Sequence, residues 1–291
     1  MSTTLTELFI RECQYLKNVT KATVQWYVTA FKCFEDCGLD QLRDLPPSEI
    51  LSNVRTRVMD LQAKGTVKPI SINTWLLAIN TYLRWGHEEG HLGVLLKVAK
   101  LKAAEAIIEP WSSEQIHKLV SYKPKQFAKR RVHGLALLIA DTGLRLSEAL
   151  SLTRSDVDLN SMLVTVRCGK GGKARVVPMS VVGRKVTFKW LTCHEHDLIF
   201  CTRDGLPWTK RNALRSFKLL CEELGIKGVR TSWHTLRHSF AASFIREGGD
   251  VFSLQRMLGH STLEMTRRYV RLNTADLQAK HQLHARLLRG R

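Results

Sequence analysis

The feature that most constrains the fold is one change of hydrophobic period in a chain that is otherwise helical in pattern. Two short apolar segments, 162–168 (MLVTVRC) and 174–179 (ARVVPM), flank the glycine-rich turn 169–173 (GKGGK). This arrangement predicts a β-hairpin whose second strand ends at Pro178, because proline cannot continue a paired strand. From Thr209 onward the pattern returns to helices. We therefore expect an α+β fold that is mostly α, with one small hairpin or sheet.

The first hundred residues have the apolar spacing of four helices joined by short connections, which predicts a compact bundle. Thr4 and Glu7 are spaced as a capping box, and consecutive prolines at 46 and 47 open the third helix. The segment from Lys97 to Trp111 has the composition of a tether, and Ser112 then caps a new helix. We predict two domains, 1–103 and 104–291.

Charge is distributed unevenly along the chain. The formal net charge is +19, of which residues 1–103 contribute +3 and residues 104–291 contribute +16. Such an excess favours a polyanionic partner, although a basic protein without one stays open as an alternative. No apolar run is long enough to span a bilayer, and the start of the chain lacks the pattern of a secretory signal.

Cysteine and histidine usage gives little support to a metal site. The seven cysteines are odd in number and form no CxxC pair, which is typical of a reducing compartment. One cluster, Cys193, His194, His196 and Cys201, does not match a common zinc-ligand spacing. We therefore predict no metal.

Six polar residues in the second half of the chain have the chemistry of a phosphoryl-transfer site. Five can donate hydrogen bonds or positive charge to a phosphate, and the sixth is a phenol that can attack one. They are Arg145, Lys170, His234, Arg237, His260 and Tyr269.

Local sequence gives most of these side chains a direction. Arg145 and Glu148 lie three residues apart, so Glu148 can aim the guanidinium, although a simple surface ion pair has the same spacing. His234 and Arg237 are also three apart on one predicted helix, whereas His238 turns away by about 100°. A histidine and an arginine at this spacing, taken by themselves, usually have no catalytic role.

The segment LGHSTLEMTRRYV (258–270) places His260 just before a predicted helix that Ser261 caps, with Tyr269 about two turns further on. A half-buried structural tyrosine is the alternative for Tyr269. Lys170 lies in the hairpin turn, where a mobile lysine can reach a leaving group. Some nearby or exposed basic residues are predicted DNA contacts, or else ordinary surface charges: Lys173, Arg175, Lys64, Lys68 and Arg84.

Together these segments resemble the tyrosine recombinases, also called the phage integrase family. The resemblance lies in TGLRLSE with Arg145, GKGGKAR with Lys170, HTLRH with His234 and Arg237, and LGHSTLEMTRRY with His260 and Tyr269. It covers the second domain well and the first only in outline. It implies a helical, SAM-like core-binding domain over 1–103 and an α+β catalytic domain over 104–291 with a tail helix at about 274–291.

The resemblance also implies a reaction. Tyr269 attacks a phosphate of duplex DNA, forms a 3′-phosphotyrosyl bond and frees a 5′-hydroxyl. Arg145, Arg237 and His260 hold the phosphate, His234 assists proton transfer, and Lys170 protonates the leaving oxygen. The 5′-hydroxyl of a partner strand then rejoins the backbone through a four-way junction. No ATP, metal or other cofactor is required.

Relatives of this kind act as tetramers on paired DNA sites, so we expect a homotetramer on DNA and a monomer when free. We also expect a cytoplasmic, DNA-associated prokaryotic protein that does not bind a membrane. The resemblance covers integration, excision, transposition and dimer resolution alike. Met265 replaces a threonine common in the family, and no further N-terminal domain is expected. Two alternatives remain at this level, a type IB topoisomerase and a DNA-binding regulator without activity.

Overall fold

The structure is a computed structural model that describes residues 3–103, 108–167, 174–260, 262, 263, 266, 269 and 281. Its contacts divide the chain into two compact units, residues 1–106 and 107–291. The domains predicted from the sequence differ from these units by three residues, since they meet at 103 instead of 106. Within the described residues, every helix is too short or too polar to cross a membrane.

The described part of the first unit contains four α-helices: α1 (Leu5–Tyr15), α2 (Lys21–Cys33), α3 (Pro47–Ala63) and α4 (Pro69–Glu88). The predicted capping box is present at α1, where the Thr4 side chain accepts from the backbone of Glu7 and the Glu7 side chain accepts from the backbone of Thr4. Helices α3 and α4 both begin at proline, whose fixed φ and missing N–H suit a first helical turn.

An aromatic cluster forms the centre of the first unit. Phe9 of α1 contacts Tyr27, Tyr82 and Trp85 edge-on, with ring centroids 4.9, 5.3 and 5.3 Å away. The Tyr82 hydroxyl donates to the carbonyl of Leu39 at 2.7 Å, and the Trp85 indole donates to Glu12 at 2.8 Å. The polar ends of these buried rings are therefore satisfied, as buried tyrosine and tryptophan require.

The segment after α4 is held more firmly than the sequence predicts. Asn80 exchanges two hydrogen bonds with the backbone of Val98, and Asn73 exchanges two with the backbone of Leu101, at 2.8 and 2.9 Å in each pair. These asparagines are two turns apart on α4 and fix residues 98–101 as an extended strip. The tether predicted to start at Lys97 is therefore bound to its own unit as far as Leu101.

The second unit is built around helices with one small sheet. Its described helices are α5 (Ser113–Ser121), α6 (Phe127–Thr142), α7 (Leu146–Leu150), α8 (Val181–Leu191), α9 (Lys210–Glu223), α10 (Trp233–Arg246) and α11 (Val251–Leu258). Its described strands are β1 (Val157–Asp158), β2 (Leu163–Val166) and β3 (Arg175–Pro178). The prediction of a mostly helical α+β fold with a small sheet is confirmed.

The predicted hairpin is present as the antiparallel pair β2–β3, in which Val166 lies opposite Arg175 and Val164 opposite Val177. The second strand ends at Pro178 as predicted, and the turn 168–173 lies outside the described residues. A two-residue strand, β1, pairs with the other edge of β2 and was not predicted, because two residues are too short to show a period.

The prediction that helices resume only at Thr209 is wrong, because α8 begins at Val181. Its sequence, VVGRKVTFKWL, is rich in β-branched residues and contains a glycine, both unfavourable for a helix. The structure gives Gly183 a reason: a Cβ there would lie 2.0 Å from the Asp141 carboxylate, which also accepts from the backbone of Ser180. A carboxylate at a helix N-terminus is favourable. Because Asp141 belongs to α6 and binds the N-cap residue of α8, the contact between the two helices stabilises α8.

Candidate active site

Two helices of the second unit end at glycines whose carbonyl groups hold the arginines of the site. Gly143 ends α6 with φ 66°, and Gly259 ends α11 with φ 63°. A Cβ at Gly143 would lie 2.4 Å from Phe240, and one at Gly259 would lie 3.0 Å from the guanidinium of Arg175. Glycine is therefore required twice over at Gly143, by the left-handed backbone and by the lack of space.

Arg145 lies directly between Gly143 and α7, where it is the N-cap residue. Its Nη1 donates to Glu148 Oε1 at 2.8 Å, and its Nη2 donates to the carbonyl of Gly259 at 3.1 Å. The backbone N–H of Arg145 donates to the other oxygen of Glu148 at 2.8 Å. The side chain is 27% exposed, so the guanidinium is fixed from behind and accessible from one side. Glu148 therefore orients the Arg145 guanidinium, as the spacing of the two residues predicts.

Glu148 is itself buried and carries a second arginine. Its side chain is 3% exposed and accepts from both terminal nitrogens of Arg175, at 2.9 and 2.7 Å. Burial raises the pKa of Glu148, but the hydrogen bonds from Arg175 and Arg145 outweigh it and hold the pKa at about 2. Glu148 is therefore an anion at every physiological pH, between two cations.

Arg237 is the most deeply buried cation of the site, with 3% exposure. Its Nη1 donates to the carbonyl of Gly143 at 2.6 Å, and its Nη2 donates to the carbonyl of Leu258 at 2.8 Å. Burial lowers the pKa of Arg237 to about 10, and the positive charge of Arg145 contributes to the same effect. The group stays protonated at neutral pH, and its orientation is fixed by the ends of α6 and α11.

His260 connects the arginines to the segment that carries the tyrosine. Arg237 Nη2 lies 3.1 Å from His260 Nε2, and His260 Nδ1 lies 2.9 Å from the hydroxyl of Thr266. Because a guanidinium only donates, Nε2 accepts in this contact and the ring proton lies on Nδ1. Thr266 is fully buried, and its carbonyl accepts from the backbone N–H of Tyr269 at 3.0 Å.

Tyr269 packs in part against the small apolar cluster between α10 and α11, formed by Ala241, Leu254 and Leu258. Its ring meets the imidazole of His238 edge-on, with the centroids 5.0 Å apart. A negative charge on Tyr269 would raise the pKa of Arg237, in opposition to the larger effect of burial. The predicted helix around Tyr269 lies largely outside the described residues.

The structure brings Arg145, Arg237 and His260 together and places the remaining predicted residues as follows. His234 is exposed one turn before Arg237 on α10, while Lys170 and Lys173 lie outside the described residues. Three of the predicted DNA contacts lie in the first unit, and all three are exposed. Lys64 directly follows α3, Lys68 directly precedes α4, and Arg84 lies on α4. Their roles stay predictions.

Arg175 is placed differently from the other predicted DNA contacts. Its Nε donates to the carbonyl of Met257 at 2.8 Å and both terminal nitrogens bind Glu148, so all three guanidinium nitrogens are engaged within the protein. The side chain is 9% exposed.

Sequence reasoning missed two contacts of the site. His238 was predicted to turn away from Arg237, which it does, but Tyr269 lies against its ring. The sequence assigns no role to Thr266, yet it joins His260 to Tyr269. Its position three residues before Tyr269 was the one available signal. Among the described residues, no group of three or more His, Cys, Asp or Glu side chains is arranged to hold a metal ion.

Comparisons with known proteins identify the family of the chain. The sequence profile of the phage integrase family matches residues 111–276. A tyrosine recombinase XerA of Thermococcus onnurineus is 31% identical over 222 residues, which cover 76% of this chain and 77% of that protein. A tyrosine recombinase XerD of Shewanella oneidensis is 37% identical over 158 residues, 52% of each chain.

Solved structures share the fold at lower identity. The Tn1549 transposon integrase in complex with transposon right end DNA has a TM-score of 0.76 and 18% identity, covering 97% of this chain and 99% of that one. The XerH site-specific recombinase bound to difH substrate has a TM-score of 0.70 and 18% identity, covering 100% of this chain and 86% of that one. The chain therefore belongs to the phage integrase family and is a tyrosine recombinase.

Proposed function

We propose that this protein breaks and rejoins duplex DNA at specific sites through a covalent bond between Tyr269 and a backbone phosphate. The observation that carries the proposal is the convergence of Arg145, Arg237 and His260 at the ends of α6 and α11. Arg145 binds the carbonyl of Gly259, and Arg237 contacts the side chain of the next residue, His260. Two guanidinium groups thus lie close to His260, and His260 begins the segment that leads to Tyr269.

This arrangement suits a phosphate whose charge changes during reaction. A guanidinium carries five N–H donors, and in the described residues the side chain of Arg145 uses two of its nitrogens for protein contacts. Because both arginines are fixed before the substrate arrives, they do not need to reorganise as charge develops. The attack on the phosphate requires in addition that Tyr269 lose its proton.

The reaction balances without an external energy source. The Tyr269 oxygen forms a bond to phosphorus, the bond from phosphorus to the 5′ oxygen breaks, and the leaving oxygen takes a proton to become a 5′-hydroxyl. We assign delivery of that proton to Lys170, and we assign acceptance of the proton that the Tyr269 hydroxyl loses to His234. In rejoining, a 5′-hydroxyl attacks the phosphotyrosine and releases Tyr269. One ester replaces another in each step, so neither ATP nor a metal ion is needed.

Duplex DNA is the substrate we propose, because the basic excess lies in the unit that holds the site. The Tn1549 integrase and XerH structures contain DNA. Lys64, Lys68, Arg84 and Lys173 would contact its phosphates. Integration, transposition or resolution of dimers all use this chemistry.

Assembly on DNA belongs to the same proposal. Strand exchange needs two DNA sites, and a tetramer places four tyrosines on their four strands. We propose that residues 274–291 dock on a neighbouring subunit. Truncation after residue 273 should then abolish tetramer formation on DNA, measured by light scattering, while leaving monomer binding; an intact tetramer contradicts the docking.

Trapping the intermediate tests the chemistry. A pool of nicked duplex fragments, in which the short strand beyond the nick diffuses away after cleavage, should leave protein covalently attached to DNA. Tyr269→Phe should bind the same fragments and form no adduct. Sequencing the trapped DNA should return one recurring sequence.

Other outcomes identify the alternatives. Adducts at unrelated sequences together with relaxation of any supercoiled plasmid would indicate a topoisomerase. Equal binding by wild type and Tyr269→Phe with no adduct from either would indicate a regulator.

A further inference from the structure

We propose that Arg175, on the hairpin, is a positioning residue that fixes the catalytic guanidinium of Arg145 through Glu148. This inference rests on the proposed function and names a residue whose role differs from a DNA contact. It starts from the engagement of all three guanidinium nitrogens of Arg175 inside the protein.

Glu148 is the central group of the arrangement. Each of its carboxylate oxygens accepts from Arg145 and from Arg175: Oε1 from the two side chains at 2.8 and 2.9 Å, and Oε2 from the Arg145 backbone at 2.8 Å and Arg175 Nη2 at 2.7 Å. The carboxylate cannot rotate without breaking bonds to both arginines. Arg175 therefore restricts the orientation of the group that orients Arg145.

Arg175 also connects Glu148 and its two arginine partners to the end of α11. Its Nε donates to the carbonyl of Met257, two residues before the glycine whose carbonyl accepts from Arg145. Gly259 approaches the guanidinium of Arg175 so closely that a Cβ there would be 3.0 Å away. One side chain from β3 thus contacts both the end of α11 and the anion of α7, and these two elements hold Arg145.

The chemistry of the pair explains why arginine is needed. The planar guanidinium matches a carboxylate with two parallel bonds and keeps Nε for the Met257 carbonyl. A lysine at 175 keeps the charge but provides neither the fork nor the third direction. A buried Glu148 without Arg175 would have only Arg145 to compensate its charge, and the two would settle in a different geometry.

Two substitutions separate this role from a DNA contact. Arg175→Ala should bind DNA with the wild-type dependence on salt, because no phosphate contact is lost. Its single-turnover cleavage should slow by ~10²-fold, the effect of a displacement near 1 Å at a reacting group. Loss of a phosphate contact would instead lower the salt slope by about 1 and weaken binding. That result would overturn the inference.

A double substitution tests whether Arg175 acts through Arg145. If it does, Arg145→Ala with Arg175→Ala should cleave no more slowly than Arg145→Ala alone. Independent, multiplicative losses would contradict the inference. The pH profile gives a second readout: without Arg175 the rate should fall with acid at higher pH than in wild type, because Glu148 protonates more easily. A general loss of structure would lower the rate equally at all pH values.

Arg167 provides a matched control on the same hairpin. It follows Val166, the residue opposite Arg175, and its guanidinium pairs with the buried carboxylate of Asp156. Its side chain is mostly exposed, and its described partners are Asp156 and Ser155. Arg167→Ala should leave the cleavage rate and its pH profile unchanged.

The experiment distinguishes failure of this inference from failure of the proposed function. If wild type forms no covalent adduct, the proposed function fails. If wild type forms it and a folded Arg175→Ala cleaves at the same rate, only the inference fails. Should Arg175→Ala not fold by circular dichroism, Arg175→Lys replaces it, with a rate loss of ~10-fold and the same shift of the acid limb expected. A wild-type rate and profile for Arg175→Lys would contradict the inference.

Discussion

The two units of the molecule bury different kinds of groups. In the described residues of the first unit the core is aromatic and aliphatic, and His91 is the one buried polar side chain apart from the aromatic residues and cysteines of that core. The second unit has a similar apolar core but also buries Glu148, Asp156 and Arg237. Burying charge is unfavourable unless it is paired and hydrogen-bonded, so the second unit must supply partners for these groups that the first unit does not need.

The buried charges of the second unit are stabilised by hydrogen bonds to one another and to backbone carbonyls. The carbonyls of Gly143, Leu258 and Gly259 are exposed to the site because their helices end there. The side chains of Arg145 and Arg237 donate hydrogen bonds to these carbonyls. The ends of α6 and α11 are thus capped by the residues that bind the phosphate in the proposed reaction.

The largest expected effect is on the apolar core of the first unit. Phe9→Ala removes a ring that contacts three other aromatic side chains, and should lower the free energy of unfolding by about 4 kcal/mol. Hydrogen exchange should show lost protection in α1 and α4 but unchanged protection in α6. Tyr15→Ala, an exposed aromatic on the same helix, is the control and should have little effect. Equal loss in α6 would mean that the two cores are not independent.

Removal of the buried cation should affect the reaction. Arg237→Ala should slow DNA cleavage by about 10²–10³-fold, or about 3–4 kcal/mol of transition-state stabilisation, with DNA binding largely retained. Single-turnover rates and gel-shift affinities measure the two quantities. Arg246→Ala, an exposed arginine in the last turn of the same helix, should leave both unchanged. A variant of Arg237 that cleaves normally would show that its burial is only structural.

Acid should destabilise the second unit through Glu148. Its folded-state pKa of about 2 is below the ordinary value of 4.5, so its contribution is present above pH 4.5 and is lost as pH falls towards 2. The difference is on the order of 3 kcal/mol. Urea unfolding from pH 5 to pH 2 should show a steeper loss in wild type than in Glu148→Gln, which has no charge to lose at that position. Parallel curves would contradict this assignment.

The smallest effect tests a local element away from the site. Ser112 accepts from the backbone of Gln115 at the start of α5, and Ser112→Ala should lower the free energy of unfolding by about 1 kcal/mol. Ser113→Ala, one residue into the helix, is the control. Thermal unfolding of the two variants should differ, with the cleavage rate of both at the wild-type level. A slower rate for Ser112→Ala would extend the site to α5.

The sequence predicted those parts of the fold whose signals are local. The helix caps at Thr4 and Ser112 and the hairpin strands follow from neighbouring residues and are confirmed. Helix α8 was missed because its stability comes from packing against α6 and from Asp141, which no local pattern shows. The firm attachment of residues 98–101 to α4 likewise depends on contacts made across 18 and 28 residues.

For the site, residue types could be predicted but directions could not. Spacing alone showed that Glu148 can reach Arg145, because both belong to one turn. Nothing in the spacing of Arg175 showed that it faces inward, since its partners Glu148 and Met257 are 27 and 82 residues away. The contact of His238 with Tyr269 is hidden for the same reason. Catalytic and positioning arginines look alike in sequence and differ only in their partners.

The most direct test is to map the covalent bond itself. Adducts trapped on nicked duplexes would be digested with protease and nuclease and analysed by mass spectrometry, and the released strand tested for a free 5′-hydroxyl. We predict that the peptide containing Tyr269 carries a nucleotide through its 3′-phosphate and that the released strand accepts phosphate from a kinase without prior dephosphorylation. Attachment at another residue, or a 5′-phosphate bond to the protein, would contradict the account.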